Sequence, residues 1–143
     1  MTKDWRANGD GATVTYSTDG VTLVATADGA GAAFDLLAPG NMEGAVIDFV
    51  VNVSNEFKTS TASLQPFAQI KAGTWQGEWN CWANNTDLTP GTDQTVTCTI
   101  AEDDKKFNQT AGDVQVVLQA KTTAPAVPAG TVVIKSVKVT LPK

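Results

Sequence analysis

The sequence predicts an all-β domain, a sandwich or a barrel, on three observations. Short runs rich in Thr, Val and Ala alternate apolar with polar residues, Gly, Asp, Asn and Pro turn signals separate those runs, and no long stretch carries an amphipathic helical period. The 143 residues suffice for a single domain, taken as 1–143, and for a core that closes without a metal.

Thr13–Ser17 and Val21–Ala27 flank Thr18-Asp19-Gly20, whose Asp-Gly step predicts a hairpin turn. Ala32–Leu36 is a third short strand, ended by Pro39-Gly40-Asn41. Ala45–Val53 is an apolar run expected to be a central strand buried on both faces. Ser63–Lys71 follows, with Pro66 predicting an edge position or a bulge. Gly77–Trp82 and Gln94–Ile100 read as a strand pair, Asp113–Ala120 and Val132–Leu141 as the last strands. Asp103–Asn108 is expected to form one helical turn and Thr122–Gly130, with Pro125 and Pro128, a loop.

Composition narrows function. The chain is 42% hydrophobic and 17% charged, as in globular proteins. Ten basic residues face fifteen acidic ones, for a net charge of -5, and Arg6 is the sole arginine. With no basic stripe, neither nucleic acid nor an anionic membrane is an expected partner. No run of about 18 apolar residues could span a membrane. Met1-Thr2-Lys3-Asp4 lacks the apolar stretch of a signal peptide, so Met1 is read as the start of an excised domain. Cys81 and Cys98 flank a segment reading strand, turn, strand, which makes a cross-strand disulfide plausible; the alternative is two separate buried thiols. A disulfide fits a secreted, extracellular protein.

The chain contains no histidine, which removes Ser-His, Cys-His and His-metal machinery. A carboxylate pair remains conceivable, but Asp19, Asp28, Asp87, Asp93 and Asp113 fall at turns, where they serve turn geometry and solubility. Glu78, between the tryptophans, is the best enzymatic candidate. Glu102-Asp103-Asp104 lacks the EF-hand pattern and reads as a solvated turn. No catalytic residue, metal or cofactor is expected.

The tryptophans are the informative feature. Besides Trp5, three of the four crowd into Trp75-Gln76-Gly77-Glu78-Trp79-Asn80-Cys81-Trp82 among polar or small neighbours, unlike a core segment. In an extended strand Trp75 and Trp79 would share one face about 13 Å apart. Sugar rings stack their apolar C–H faces on indoles, and their hydroxyls need planar amide partners. Gln65 and Gln69 share parity in one strand, Gln115 and Gln119 in another, opposite Val114, Val116 and Leu118. An exposed aromatic cluster beside a glutamine row predicts a binding surface for a neutral polyhydroxylated ligand.

The chain closely resembles the family 15 carbohydrate-binding modules, which are attached to bacterial xylanases and bind xylan. The matching segments run from Trp5-Arg6-Ala7-Asn8 through Val50–Lys58, Phe67–Lys71, Gly77-Glu78-Trp79, Lys106–Ala111 and Asp113–Val116 to Ile134–Val137. The resemblance implies a β-jelly-roll sandwich with a concave ligand groove. It implies two stacking tryptophans, Trp79 from Gly-Glu-Trp and Trp75 at a one-residue shift from the family position, which Thr74 occupies. It implies polar contacts from Asn8, Gln69 and Gln115. Trp82 stands where the family has an aliphatic residue and is expected to pack in the core or between the sheets. The implied partner is xylan or xylo-oligosaccharide, the implied setting a monomeric, secreted module linked covalently to a catalytic domain. The competing functions are a β-glucan binder and a structural or adhesive sandwich that uses the tryptophans as a protein interface.

Overall fold

The computed structural model of the chain describes residues 5–72, 74–101, 107 and 112–142; the side chains of residues 71–78 lie outside that description. Its strands are β1 (Arg6–Asn8), β2 (Ala12–Ser17), β3 (Gly20–Ala25), β4 (Gly31–Leu36), β5 (Val46–Val53), β6 (Ser63–Ala72), β7 (Thr74–Asn80), β8 (Gln94–Thr99), β9 (Asp113–Lys121) and β10 (Thr131–Thr140). They form two five-stranded antiparallel sheets. One has the order β1-β4-β9-β6-β7, the other β2-β3-β10-β5-β8. Between the two lies one large core, which includes Leu23, Phe49 and Ile134 from one sheet and Leu64, Val116 and Leu118 from the other. The fold is therefore a sandwich, one of the two all-β architectures that alternation and turn signals leave open and the one the resemblance implies.

β5 pairs with β10 on one side and β8 on the other, so it is interior in the hydrogen-bonding direction. It is not buried on both faces as its apolar run suggests. Ile47, Phe49, Val51 and Val53 are buried, while Val46, Asp48, Val50 and Asn52 are half-covered. Asp48 accepts a hydrogen bond from Thr97 Oγ1 at 2.6 Å on that outer side. The polar pair marks the solvated face that hydrophobicity alone hides.

β6 also departs from expectation. It lies between β9 and β7 and is not an edge strand. Pro66 is tolerated because the ladder to β7 begins at Phe67, which pairs with Asn80. Pro66 still accepts from Cys81 N at 2.9 Å, so the donor it lacks falls just beyond the end of β7. A further element escaped the sequence reading, the short helix α1 (Asn55–Thr59). Ser54 caps it, its Oγ accepting from Phe57 N at 3.2 Å and from Thr131 N at 3.0 Å. The helical turn expected at Asp103–Asn108 lies outside the described residues except at Phe107, which is fully buried in the core. The acidic run Glu102–Asp104 also lies outside them.

Cys81 and Cys98 form a disulfide with a Cα–Cα distance of 5.4 Å. Its placement corrects the cross-strand reading: Cys81 follows β7 of one sheet and Cys98 sits on β8 of the other. β7 and β8 are edge strands of their sheets, so the bond ties the two layers together along one side.

Candidate functional site

The outer face of the β1-β4-β9-β6-β7 sheet carries the glutamines. In β6, Leu64, Ala68 and Ile70 point into the core, leaving Gln65, Phe67 and Gln69 on the other side. In β9, Val114, Val116 and Leu118 are core residues, leaving Gln115, Val117 and Gln119 outside. The register aligns these sets, pairing Gln65 with Gln119, Phe67 with Val117 and Gln69 with Gln115. The result is two glutamine rungs, about 13 Å apart along the strands, flanking an apolar rung. Phe67, Val117 and Ala33 form that rung as a small buried cluster separate from the main core.

The amides are held, not loose. Arg6 donates from Nη1 and Nη2 to the two carboxylate oxygens of Asp35, each at 3.1 Å, and from Nη2 also to Gln115 Oε1. Since a guanidinium only donates, Gln115 must turn its oxygen to Arg6 and its NH₂ away. Gln115 Nε2 then donates to Gln69 Oε1 at 3.0 Å. The chain Asp35–Arg6–Gln115–Gln69 thus fixes which amide group each glutamine presents. In the second rung Gln119 Nε2 donates to Gln65 Oε1. Arg6 and Asp35 were not singled out from the sequence. The available signal was Asp35's position on β4, but its alignment with Gln115 appears only once β4 and β9 pair.

Asn8, on β1, pairs with Gly31 of β4, which in turn pairs with Gln119. Asn8 therefore belongs to the rung of Gln65 and Gln119, one glutamine rung away from Gln69 and Gln115. Gly31 lets the strands approach here, since a Cβ on it would lie 2.8 Å from Leu118 O.

The tryptophans divide. The ladder between β6 and β7 shifts register after Ile70: Ile70 pairs with Gly77, but Lys71 pairs with Trp75. Gln76 is the extra residue of a bulge, and a bulge breaks the period-two alternation. Trp75 thereby takes a register position of Gln69's parity, while Trp79, paired with Ala68, takes the opposite one. The expectation that the two share one face is corrected by that single residue. The Trp75 side chain itself lies outside the described residues. Trp79 is half-buried against the core and its Nε1 donates to Thr99 O of β8 at 2.9 Å, two residues from the disulfide. Trp82 is 55% exposed, not core or inter-sheet packing as expected. Trp5 is in the core, its ring centroid 4.7 Å from that of Phe34.

The surface so built is suited to hold a neutral, hydroxyl-rich molecule by fixed amide donors and acceptors. Among the described residues no cluster of acidic or cysteine side chains could hold a metal ion, and no helix is long and apolar enough to cross a membrane. The profile of the family described as "Carbohydrate binding domain (family 15)" matches residues 1–143. Endo-beta-1,4-xylanase Xyn10C of Cellvibrio japonicus is 57% identical over 145 residues, covering 99% of this chain and 23% of that protein. The chain thus spans less than a quarter of the length of this relative. A solved structure described as "xylan-binding module CBM15" superposes with a TM-score of 0.87 at 55% identity, covering 99% of this chain and 92% of the other. A mutant Xylanase10C from Cellvibrio japonicus in complex with xylopentaose gives 0.86 at 54% identity, covering 100% of this chain and 28% of the other. The CBM22-2 xylan-binding domain from Paenibacillus barcinonensis Xyn10C, at 9% identity and a TM-score of 0.65, shares the fold.

Proposed function

Because the chain belongs to carbohydrate-binding domain family 15, we propose that it is a non-catalytic module that binds β-1,4-xylan and xylo-oligosaccharides across the outer face of the β1-β4-β9-β6-β7 sheet. The observation that carries this reading is the pair of glutamine rungs on one face, one of them oriented by Arg6. Xylose presents hydroxyls on the rim of its ring and C–H bonds on its faces. The amides of Gln69 and Gln115, with Asn8 farther along the face, meet the hydroxyls. A tryptophan ring meets the C–H face, contributing on the order of 1 kcal/mol beyond the area it buries. Exposed hydrogen bonds contribute less each, so affinity is expected to be modest.

The stacking rings in the proposal are Trp75 and Trp79, carried over from the resemblance. What supports Trp75 is its register position opposite Lys71, which has the parity of Gln69. Trp79 stands on the edge strand with its N–H committed to Thr99 O, so a ligand would meet its ring only where the sugar chain leaves the β7 edge. The rest of the parent protein is proposed to be a secreted xylan-degrading enzyme, which the module, as a monomer, holds near the polysaccharide.

Isothermal titration with xylohexaose and cellohexaose tests the reading. We expect xylohexaose to bind and cellohexaose to bind at least tenfold more weakly. Trp75→Ala and Gln69→Ala are expected to weaken xylohexaose binding tenfold or more. Binding of neither sugar would remove the function and leave the fold. Trp79→Ala separates its two roles: a lower melting temperature with retained affinity makes it an edge brace, and an unchanged melting temperature with lost affinity makes it a stacking ring.

A further inference from the structure

Trp82 is unused by the site described above, and its exposure is unusual for so large an apolar side chain. Leu64 and Ala83 form an isolated bridge with two 2.8–2.9 Å hydrogen bonds, Leu64 being a core residue. The residue before Ala83 therefore turns to the outer side, that of Gln65 and Ser63. There Trp82 joins Thr61, Ser63, Lys121, Thr122 and Thr123 around an open depression of about 510 Å³. Ser63 pairs with Lys121, one rung beyond Gln65 and Gln119 on the same face. The depression thus continues the glutamine face past the rung of Gln65 and Gln119, at the end far from Gln69 and Gln115.

The chemistry of the depression repeats that of the glutamine face. It offers one indole surface and several hydroxyls. The Thr122 hydroxyl is buried and has no hydrogen-bond partner. Buried hydroxyls without partners are uncommon and ask for a reason. Thr122 lines the depression, and pairing its hydroxyl with a ligand would break no existing hydrogen bond. The backbone beneath is held in place: Asp28 accepts from Thr122 N at 2.9 Å and from Lys121 Nζ at 3.2 Å. Lys121 Nζ is engaged by Asp28, and Ser63 Oγ accepts from Asn85 N at 2.9 Å, which leaves the indole surface and the Ser63 O–H for an incoming sugar.

We propose that Trp82, with Ser63 and Thr122, forms an additional sugar subsite that takes a further xylose unit of the same main chain and lengthens the binding face at this end. The proposal rests on the reading that the glutamine face binds xylo-oligosaccharide. An end subsite has a distinctive signature, because only oligomers long enough to span to it gain from it.

Titrations of xylotriose and xylohexaose into the parent protein, Trp82→Ala and Thr122→Val test it. Trp82→Ala is expected to weaken xylohexaose about tenfold and to leave xylotriose within twofold. Thr122→Val, which removes an unpartnered hydroxyl, should melt at or above the parent's temperature and weaken xylohexaose two- to fivefold. Xylohexaose affinity within twofold of the parent in both variants overturns the subsite. Equal loss for both oligomers in Trp82→Ala also overturns it, since that would make the ring part of the central site. A parent protein that binds no xylohexaose overturns the underlying function instead, so the two failures are distinguishable.

Discussion

At the scale of single residues, one rung of the proposed site, Gln69 and Gln115, has its amide orientation imposed by one cation. Arg6 cannot accept, so it dictates the direction of the bond from Gln115 to Gln69. Arg6 is then a positioning residue. Arg6→Ala is expected to weaken xylohexaose several-fold in a titration while moving the melting temperature little, because its pair with Asp35 is partly solvated and such pairs contribute at most about 1 kcal/mol. Asp28 gives a second residue-scale expectation. The hydrogen bond from the Thr122 backbone, aided by Lys121, holds its carboxyl below the usual carboxylate range against the opposing effect of burial. A depressed pKa in the folded state contributes stability above the unfolded value near 4 and loses it as pH falls through the folded value. Asp28→Asn should therefore be less stable than the parent at pH 7, with the difference closing below about pH 4 in thermal melts. What the sequence revealed at this scale was parity: Gln65 with Gln69, and Gln115 with Gln119, each on one side of a strand. It could not reveal the Arg6–Asp35 partnership, which spans elements far apart in the chain.

At the scale of elements, β7 concentrates what was hard to read. The sequence places its tryptophans on one face by simple alternation, and the bulge at Gln76 overrides that. Gly77, a glycine inside a strand, is the local sign of a bulge, and the pairing of β7 with β6 puts the extra residue at Gln76. Pro66 misled for a related reason, since its missing donor is harmless where the neighbouring strand stops. The cysteines were paired correctly, but as a hairpin bond, because sequence spacing cannot tell a neighbouring strand from a facing sheet. In the structure the disulfide and the Trp79–Thr99 hydrogen bond together fasten the β7 edge to β8. Replacing both cysteines by serine is expected to cost about 3 kcal/mol, read by chemical denaturation. Binding should weaken as well, because Trp75 rides on the edge strand that is released. A smaller element carries a parallel expectation. Gly130 has φ of +76° and a Cβ there would lie 2.7 Å from Phe57 N and closer still to Ser54 Oγ. Gly130→Ala should destabilise by about 2 kcal/mol through backbone strain and displacement of the α1 cap. That helix went unseen because Ser54 is followed by only five helical residues, too few to show a period.

At the scale of the whole molecule, the two sheets differ in what they present outward. The described outer residues of the β2-β3-β10-β5-β8 sheet make ordinary surface pairs, such as Asn52 with Asp93 and Thr97 with Asp48. The opposite sheet presents paired glutamines with a buried apolar rung between them. The all-β architecture was legible because alternation and turn residues mark a sandwich or a barrel without any tertiary information, with the resemblance pointing to the sandwich, and the glutamine face was legible as shared parity along β6 and β9. The face holds amides, not a cluster of charge, and xylohexaose is uncharged. Xylohexaose affinity should therefore change less than about twofold between low and high salt, since there is little to screen.

The most direct test of the account is a backbone and side-chain amide NMR titration of the protein with xylohexaose. The account predicts that the perturbed signals cluster on the outer face of β6 and β9, with the side-chain amides of Gln65, Gln69, Gln115 and Gln119 among them, while β2, β3 and β10 remain still. Perturbations that map instead to the β2-β3-β10-β5-β8 sheet, or no perturbation at all at saturating sugar, would contradict it.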